Sequence, residues 1–434
     1  MNTGIKILSI VILVTGLFII PAANAGYENM SLCPFRPQVD SEILDIMEQH
    51  YIPTTTIAVV RNDSLVWSKA YGEQERLDLI YPIASVTKTF TATAIFQLHE
   101  RGLIELDDDV NDYLPFSFRH PNYTEIPITF RMLLQHTSGL SKDSDPYWFG
   151  VLAEVAEQIG LENPYDWAPY PYWIEEYLTP NGSLYESTVW TSHEPGTYRF
   201  YSNFGYDVLG YLIQRVTGQP IWEFLQENIF DPLDMESTGY NYTNFDLAQL
   251  ATPYIYTFDL DPESSGNIAY PHYNSLNYGC GGLRSSIFDL ARFLLVFMHD
   301  GVSNGVRILE EQTLRTMEAA KTAWLAPGDP WLDWDGWGGT EGDEWTSHAK
   351  GFAIYGSNTT VPYAIITLVN QGLDSARDAA YNITRLLQVY VHQYDVLAPD
   401  CPFGLAPEDV ILMATSVSVA IVAVAIVIAR KKVM

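Results

Sequence analysis

The sequence predicts an α/β fold: a sheet-and-helix body interrupted by an all-helical insertion, followed by a C-terminal transmembrane helix. Three observations carry this. Strand-like segments occur only near the start and near the end of the chain, and the long middle is helical. The twenty residues from Val410 to Ala429 carry no charge and run into Arg430-Lys431-Lys432.

At the start, Lys6, an apolar run from Ile7 to Ile20, Pro21 and the small-residue site Ala23-Asn24-Ala25 predict a secretory signal over 1–25; an uncleaved anchor is the alternative. An outer domain at 26–400 follows, then a juxtamembrane linker at 401–409, a span at 410–429 and a cytoplasmic tail at 430–434. Within the domain, Ser41 to His50 reads as a helix. Thr55 to Val60 and Ser64 to Ala70 read as strands joined by the hairpin signal Arg61-Asn62-Asp63. Apolar Phe90, Ala94, Ile95 and Leu98 predict an amphipathic helix over Thr89 to Gly102. The acidic turn Leu106 to Asp109 leads to a short helical segment, and Ile128 to Leu134 begins a helix ending near His136. Residues 142–192, rich in Pro, Tyr and Trp, read as a surface elaboration over one helix at about Val151 to Ile159. Phe204 to Val216 and Pro220 to Ile229 are helices parted by Gly218, and Ser285 to His299 is another. Residues 324–345 hold five of the eleven tryptophans among glycines and acids and read as a long loop. Ala353 to Tyr355 and Tyr363 to Leu368 are late strands, and Asp378 to Tyr394 is the closing helix.

Charge narrows the partners. The chain carries −30 formally, and residues 26–409 carry −34 once Lys6 and the three tail cations are set aside. Such a surface repels nucleic acid and anionic membrane. The membrane is met only through the single C-terminal span. Seven sequons (Asn29, Asn62, Asn122, Asn181, Asn241, Asn358, Asn382) permit glycosylation in a secreted chain. Of the three cysteines, Cys33 and Cys401 bracket the domain in similar Cys-Pro-Phe contexts. In an oxidising compartment they are expected to pair, leaving Cys280 as a buried thiol outside the bridge. No zinc-binding pattern occurs among the cysteines and nine histidines, and no metal or cofactor is expected.

The chemistry centres on Ser85-Val86-Thr87-Lys88. Residues three apart on a helix share a face, so Lys88 can reach the Ser85 hydroxyl without tertiary help. A helix start also favours developing negative charge beside Ser85. The pattern alone is weak, since Ser347-His348-Ala349-Lys350 matches it too. Further motifs accompany it: Leu133-Leu134-Gln135-His136-Thr137-Ser138-Gly139-Leu140, then Pro195-Gly196 leading to Tyr201-Ser202-Asn203. Ile229-Phe230-Asp231-Pro232-Leu233 and Gly281-Gly282-Leu283-Arg284-Ser285-Ser286 complete the set. Together, over about 40–395, they resemble the serine β-lactamase-related family: class C β-lactamases, penicillin-binding D-Ala-D-Ala carboxypeptidases and related esterases.

The resemblance implies an antiparallel sheet flanked by helices, of the β-lactamase/transpeptidase kind, and a serine hydrolase working by acyl transfer on a small-molecule or peptide substrate. Ser85 would be the nucleophile, with Lys88 and Tyr201 carrying protons. Tyr27-Glu28-Asn29 and Tyr242-Thr243-Asn244 share the Y-x-N pattern, but only Tyr201 follows Pro-Gly and opens a helix. Asn203 would bind substrate or hold Lys88. The third motif departs from K-T-G or H-x-G: with His348 in the cationic position, Lys350 stands where glycine belongs. Ser85 and Gly351 would then supply the oxyanion N–H groups; a one-residue slip makes Phe352 the donor. Trp331, Trp334 and Trp337 flank the motifs and could wall a cleft or simply pack in their loop. Gly301-Val302-Ser303-Asn304-Gly305 fits the nucleophile elbow G-x-S-x-G but lacks its strand-then-helix setting, and is expected to be a turn. A catalytically retired binding or receptor module on the same fold is the rival reading.

Overall fold

The computed structural model describes residues 37–62, 64–141, 172–183, 185–256, 266–275, 277–319, 340–343, 348–355 and 363–397. The expected signal, the helix at 151–159, Cys33, Cys401, Trp331, Trp334, Trp337 and the span at 410–429 lie outside them. Among the described residues, no helix is long and apolar enough to cross a membrane.

In chain order the elements are α1 (Pro37–Gln49), β1 (Thr54–Arg61), β2 (Ser64–Gly72), β3 (Tyr81–Pro82), a 3₁₀ turn at Ala84–Val86 and α2 (Thr87–Glu100). Next come α3 (Phe130–Leu134), α4 (Tyr172–Leu178), α5 (Asn203–Thr217) and α6 (Ile221–Leu225), which widens into a π turn at Gln226–Phe230. Then follow β4 (Tyr254–Tyr256), β5 (Asn267–Ala269), β6 (Arg284–Ser285), α7 (Ile287–Met298), β7 (Val302–Ser303), β8 (Val306–Arg307) and α8 (Glu311–Ala319). The chain closes with β9 (Thr340–Asp343), β10 (His348–Tyr355), β11 (Tyr363–Val369) and α9 (Leu373–Leu397).

The main sheet has the order β2-β1-β11-β10-β9, antiparallel throughout. Two N-terminal strands and three C-terminal strands, one more than the two late strands expected, enclose a mostly helical insertion; it is not all-helical as expected, since it also holds the short antiparallel pairs β3–β6, β4–β5 and β7–β8. The two-residue alternation of side chains sorts the central strands onto two cores. Ile57 and Val59 of β1, with Tyr363, Ile365 and Val369 of β11, pack against Val39, Ile43, Ala379 and Ile383 of α1 and α9. Ala58 and Val60, with Ala364, Ile366 and Leu368, face the helical body instead. Because both faces are covered, β1 is buried along nearly its whole length.

Helix α2 runs through the middle of the helical body, and every side chain from Thr87 to Leu98 is buried. This corrects the amphipathic expectation: a helix enclosed on all sides has no solvent face. Its threonines are accommodated by local bonds. Thr89 donates to the Val86 carbonyl and Thr93 to the Thr89 carbonyl, while Thr91 donates to the Gly279 carbonyl. Phe90 stacks on Phe293 with centroids 3.9 Å apart and meets Phe230 edge-on at 5.7 Å.

The long loop expected at 324–345 is partly wrong. Its end, Thr340–Asp343, is the edge strand β9. Gly301 to Gly305 forms a tight hairpin between β7 and β8. Asn304 (φ 49°) and Gly305 (φ 81°) take the left-handed conformations a two-residue loop needs. Ser303 is buried there, not presented on an elbow.

Candidate active site

Backbone pairing locks the Ser85 segment before any side chain acts. Tyr81 and Pro82 pair with Ser285 and Arg284, and the Ile83 N–H donates to the Leu283 carbonyl at 2.9 Å. The chain then turns sharply. Ala84 sits at φ 44°, a left-handed conformation costing an L-residue about 1 kcal/mol or more. Ser85 follows within the 3₁₀ turn, which runs directly into α2. The serine is therefore half-buried at the open end of a buried helix, beside the N–H groups that a helix start leaves for outside acceptors.

The three-residue spacing brings Lys88 to Ser85 as the sequence predicts. Lys88 Nζ donates to Ser85 Oγ at 2.8 Å and to the Cys280 carbonyl at 2.8 Å. Tyr201 arrives from the segment that enters α5, its hydroxyl 2.9 Å from Ser85 Oγ. The Lys88 ammonium also lies 5.1 Å from the Tyr201 ring centroid and 5.8 Å from that of Tyr206. Lys88 is 3% exposed, so Ser85 and Tyr201 face outward while the amine stays behind them.

Burial alone would push the Lys88 pKa down. Its interactions with Tyr201, Cys280 and Asp207 outweigh this, and the net shift is upward. Lys88 is thus held as the ammonium near neutral pH. The loop carrying Cys280 is itself fixed from α5. Gly279 N–H donates to Asp207 Oδ1 at 3.0 Å, and the Cys280 thiol donates to Asp207 Oδ2 at 3.4 Å.

Tyr201-Ser202-Asn203 opens α5: Ser202 caps the helix by accepting the Gly205 N–H, and Gly218 (φ 76°) closes it. Asn203 is buried in the first turn, two residues from the tyrosine. The duplicate motifs fall elsewhere. Tyr242 to Asn244 is a short turn capped by Asn241, and Lys350 lies on a strand.

The third motif fits less well. His348 and Gly351 are on β10, the second strand from the sheet edge. Strand β9 lies outside it, against the Ser85 turn, and β10 approaches the same turn behind it. Register sets His348 opposite Asp343, Lys350 opposite Glu341 and Gly351 opposite Thr340. The edge strand beside the serine is therefore Thr340-Glu341-Gly342-Asp343. Its composition carries almost no strand propensity, which is why the sequence hides it.

Two participants carried no signal as such. The Cys280 carbonyl is backbone, anonymous in sequence. Asp207 lies four residues after Asn203, a helical spacing that could have marked it.

A half-buried serine bonded to a buried amine and a phenol, at the start of a helix enclosed by an antiparallel sheet and helices, matches the arrangement expected of a β-lactamase/transpeptidase-type fold. A Beta-lactamase family profile matches residues 39–389, and the chain belongs to that family. It is 29% identical over 219 residues to Protein flp of Staphylococcus aureus (strain N315), covering 48% of this chain and 39% of that one. The chain thus spans well under half the length of that curated relative. Among solved structures, the octameric penicillin-binding protein homologue from Pyrococcus abyssi aligns with TM-score 0.57 and 25% identity, covering 81% of this chain and 77% of that one. The D-stereospecific amidohydrolase from Streptomyces sp. aligns with TM-score 0.60 and 21% identity, covering 80% and 98%.

Proposed function

We propose that the 26–400 domain is a serine hydrolase that moves an acyl group from an amide or ester to Ser85 and then to water. The observation carrying this reading is the pair of short contacts on Ser85 Oγ, 2.8 Å from Lys88 Nζ and 2.9 Å from Tyr201 OH. Lys88, as an ammonium, donates and does not accept. The atom placed to take the Ser85 proton is the Tyr201 oxygen, reacting as the phenolate beside the Lys88 ammonium. Ser85 Oγ bonds to the substrate carbonyl carbon, and the oxyanion is held by the Ser85 N–H and an N–H of the neighbouring strand. His348 and Gly351 are read as supporting that wall and Asn203 as orienting substrate. Tyr201 returns the proton to the leaving amine or alcohol as the C–N or C–O bond breaks. In the second half a water gives its proton to Tyr201 and attacks the acyl carbon; as the acyl C–Oγ bond breaks to release the acid, Tyr201 passes that proton to Ser85 Oγ.

The substrates this reading admits are a β-lactam, a D-amino-acid peptide and a carboxylic ester. The Streptomyces neighbour's description as a D-stereospecific amidohydrolase supports the second. Screening the three classes with wild type and Ser85→Ala tests the proposal: hydrolysis of at least one class, abolished in the variant, is expected. No Ser85-dependent turnover in any class would favour the retired binding module.

The same reading puts the domain on the outer face of a membrane, behind a signal at 1–25 and anchored by the span at 410–429. A Cys33–Cys401 bridge would close its two ends. The exposed positions of Asn62, Asn122, Asn181 and Asn382 support glycosylation there. Protease shaving of intact cells should release the domain; protection of it would refute this placement.

A further inference from the structure

The residue that holds Tyr201 in place is His136. It sits just past α3 at φ 59°, 5% exposed, in a conformation that turns both its carbonyl and its ring toward the strand-like approach to α5. Its carbonyl accepts the Phe200 N–H at 2.7 Å. Its Nδ1 accepts the Ser202 N–H at 3.1 Å. One residue thus clamps the backbone immediately before and immediately after Tyr201. The imidazole also packs on the Tyr201 ring, centroids 4.6 Å apart at 33°, and on the Tyr206 ring at 5.1 Å. Tyr206 is anchored in turn by donating to the Leu134 carbonyl at 2.9 Å.

The clamp requires a neutral ring. A protonated imidazole has no lone pair on Nδ1 to accept an N–H. Burial, then the positive charges of Lys88 and Arg199, hold the His136 pKa well below its usual value, against the opposing Ser202 bond. With Nδ1 accepting, the ring proton resides on Nε2. His136 is therefore no proton carrier.

We propose that His136 is a positioning residue for the hydrolysis: a neutral backbone clamp and ring support that keeps the Tyr201 oxygen within hydrogen-bond reach of Ser85. The proposal rests on the reading of Tyr201 as the proton carrier, and its test separates the two. A 1 Å displacement of a reacting group lowers rate by about 10²-fold.

The experiment is a double-mutant cycle in the full-length protein, with kcat and KM measured on the best substrate from the screen. His136→Leu removes the acceptor. His136→Asn keeps an acceptor near the Nδ1 position and tolerates positive φ. Each is made in the wild-type and Tyr201→Phe backgrounds. The expected result is a kcat loss of about 30- to 100-fold for His136→Leu with KM changed less than about 3-fold. His136→Asn should recover at least about tenfold of that loss, and His136→Leu should cost less than about 3-fold once Tyr201 is Phe. An equal loss in both backgrounds, or Asn no better than Leu, would overturn the positioning role. If His136→Leu proves too unstable, the Asn variant and the same cycle with His136→Gln, whose amide cannot reach the Nδ1 position, decide it. Should Tyr201→Phe alone leave kcat unchanged, the proton-carrier reading fails, and the positioning role falls with it.

Discussion

Gly279→Ala would place a Cβ 2.0 Å from the Tyr206 carbonyl oxygen, 2.7 Å from its carbon and 2.8 Å from Asp207 Cα, all on the α5 backbone. None of these is a flexible side-chain end that could swing aside. Relief demands that the 279–280 loop and α5 part by about 1 Å to reach the shortest separations real Cβ atoms show. That shift carries the Cys280 carbonyl, now 2.8 Å from Lys88 Nζ, beyond hydrogen-bond reach. The bonds from Gly279 N–H to Asp207 (3.0 Å) and from Thr91 to the Gly279 carbonyl (2.7 Å) stretch with it. The two hydrogen bonds to charged groups contribute about 1.5–3 kcal/mol each and the neutral one about 1 kcal/mol, so a loss of about 4–7 kcal/mol in stability is expected. Lys88, tethered at one end only, should give a kcat about 10²-fold lower. Gly281→Ala is the control in the same loop: its Cβ would meet only Asn277 Cβ, at 3.8 Å, an ordinary contact. Initial hydrolysis rates and thermal unfolding by circular dichroism measure both effects. Equal activity and stability in the two variants would refute the claim that close backbone packing at Gly279 seats the Lys88 amine.

Three further outcomes follow from the same geometry. Lys88→Met should lower kcat by about 10³-fold, while the urea midpoint moves by no more than about 2 kcal/mol equivalent. Met fills the buried stem but leaves the Cys280 carbonyl without that donor. Phe90→Ala, deleting a ring packed between Phe230 and Phe293, should cost about 3–5 kcal/mol by denaturant titration. Burial pushes the Asp289 carboxyl up from 3.8 to about 6, although Arg292, Thr238 and the Ser237 N–H pull it down. Because the folded state holds that proton more tightly than the unfolded chain, the stability it contributes is fully present below pH 3.8 and lost as pH rises through about 6. Relative to Asp289→Asn, wild type should lose about 3 kcal/mol of unfolding free energy between pH 3.5 and 7; parallel stability curves for the two would show that Asp289 does not titrate in this window.

The parts legible in the sequence were those whose signal is local. The β1–β2 hairpin, the Gly218 helix end and the three-residue reach from Lys88 to Ser85 each follow from short-range spacing. Tyr201, set 2.9 Å from Ser85, is marked in the sequence by the Pro-Gly before it and the helix after it. Helix α2 is legible from the spacing of Phe90, Ala94, Ile95 and Leu98, but its enclosure is not, since only tertiary partners bury Thr87, Thr89, Thr91 and Thr93 as well. Strand β9 was missed because a strand of Thr-Glu-Gly-Asp forms by pairing with β10, not by its own propensity. His136 reads in sequence only as the end of a helix; its grip on Phe200 and Ser202 spans more than sixty residues and has no sequence signature. The Cys280 carbonyl shows the limit most plainly, since any residue there offers the same acceptor.

The central claim is that Ser85 is the covalent nucleophile. Intact-mass spectrometry of the full-length protein after exposure to a fluorophosphonate, followed by peptide mapping, tests it directly. The account predicts one adduct per chain, mapped to Ser85, absent in Ser85→Ala and slowed by about 10³-fold in Lys88→Met. No adduct on the wild type, or one that persists in Ser85→Ala, would contradict it.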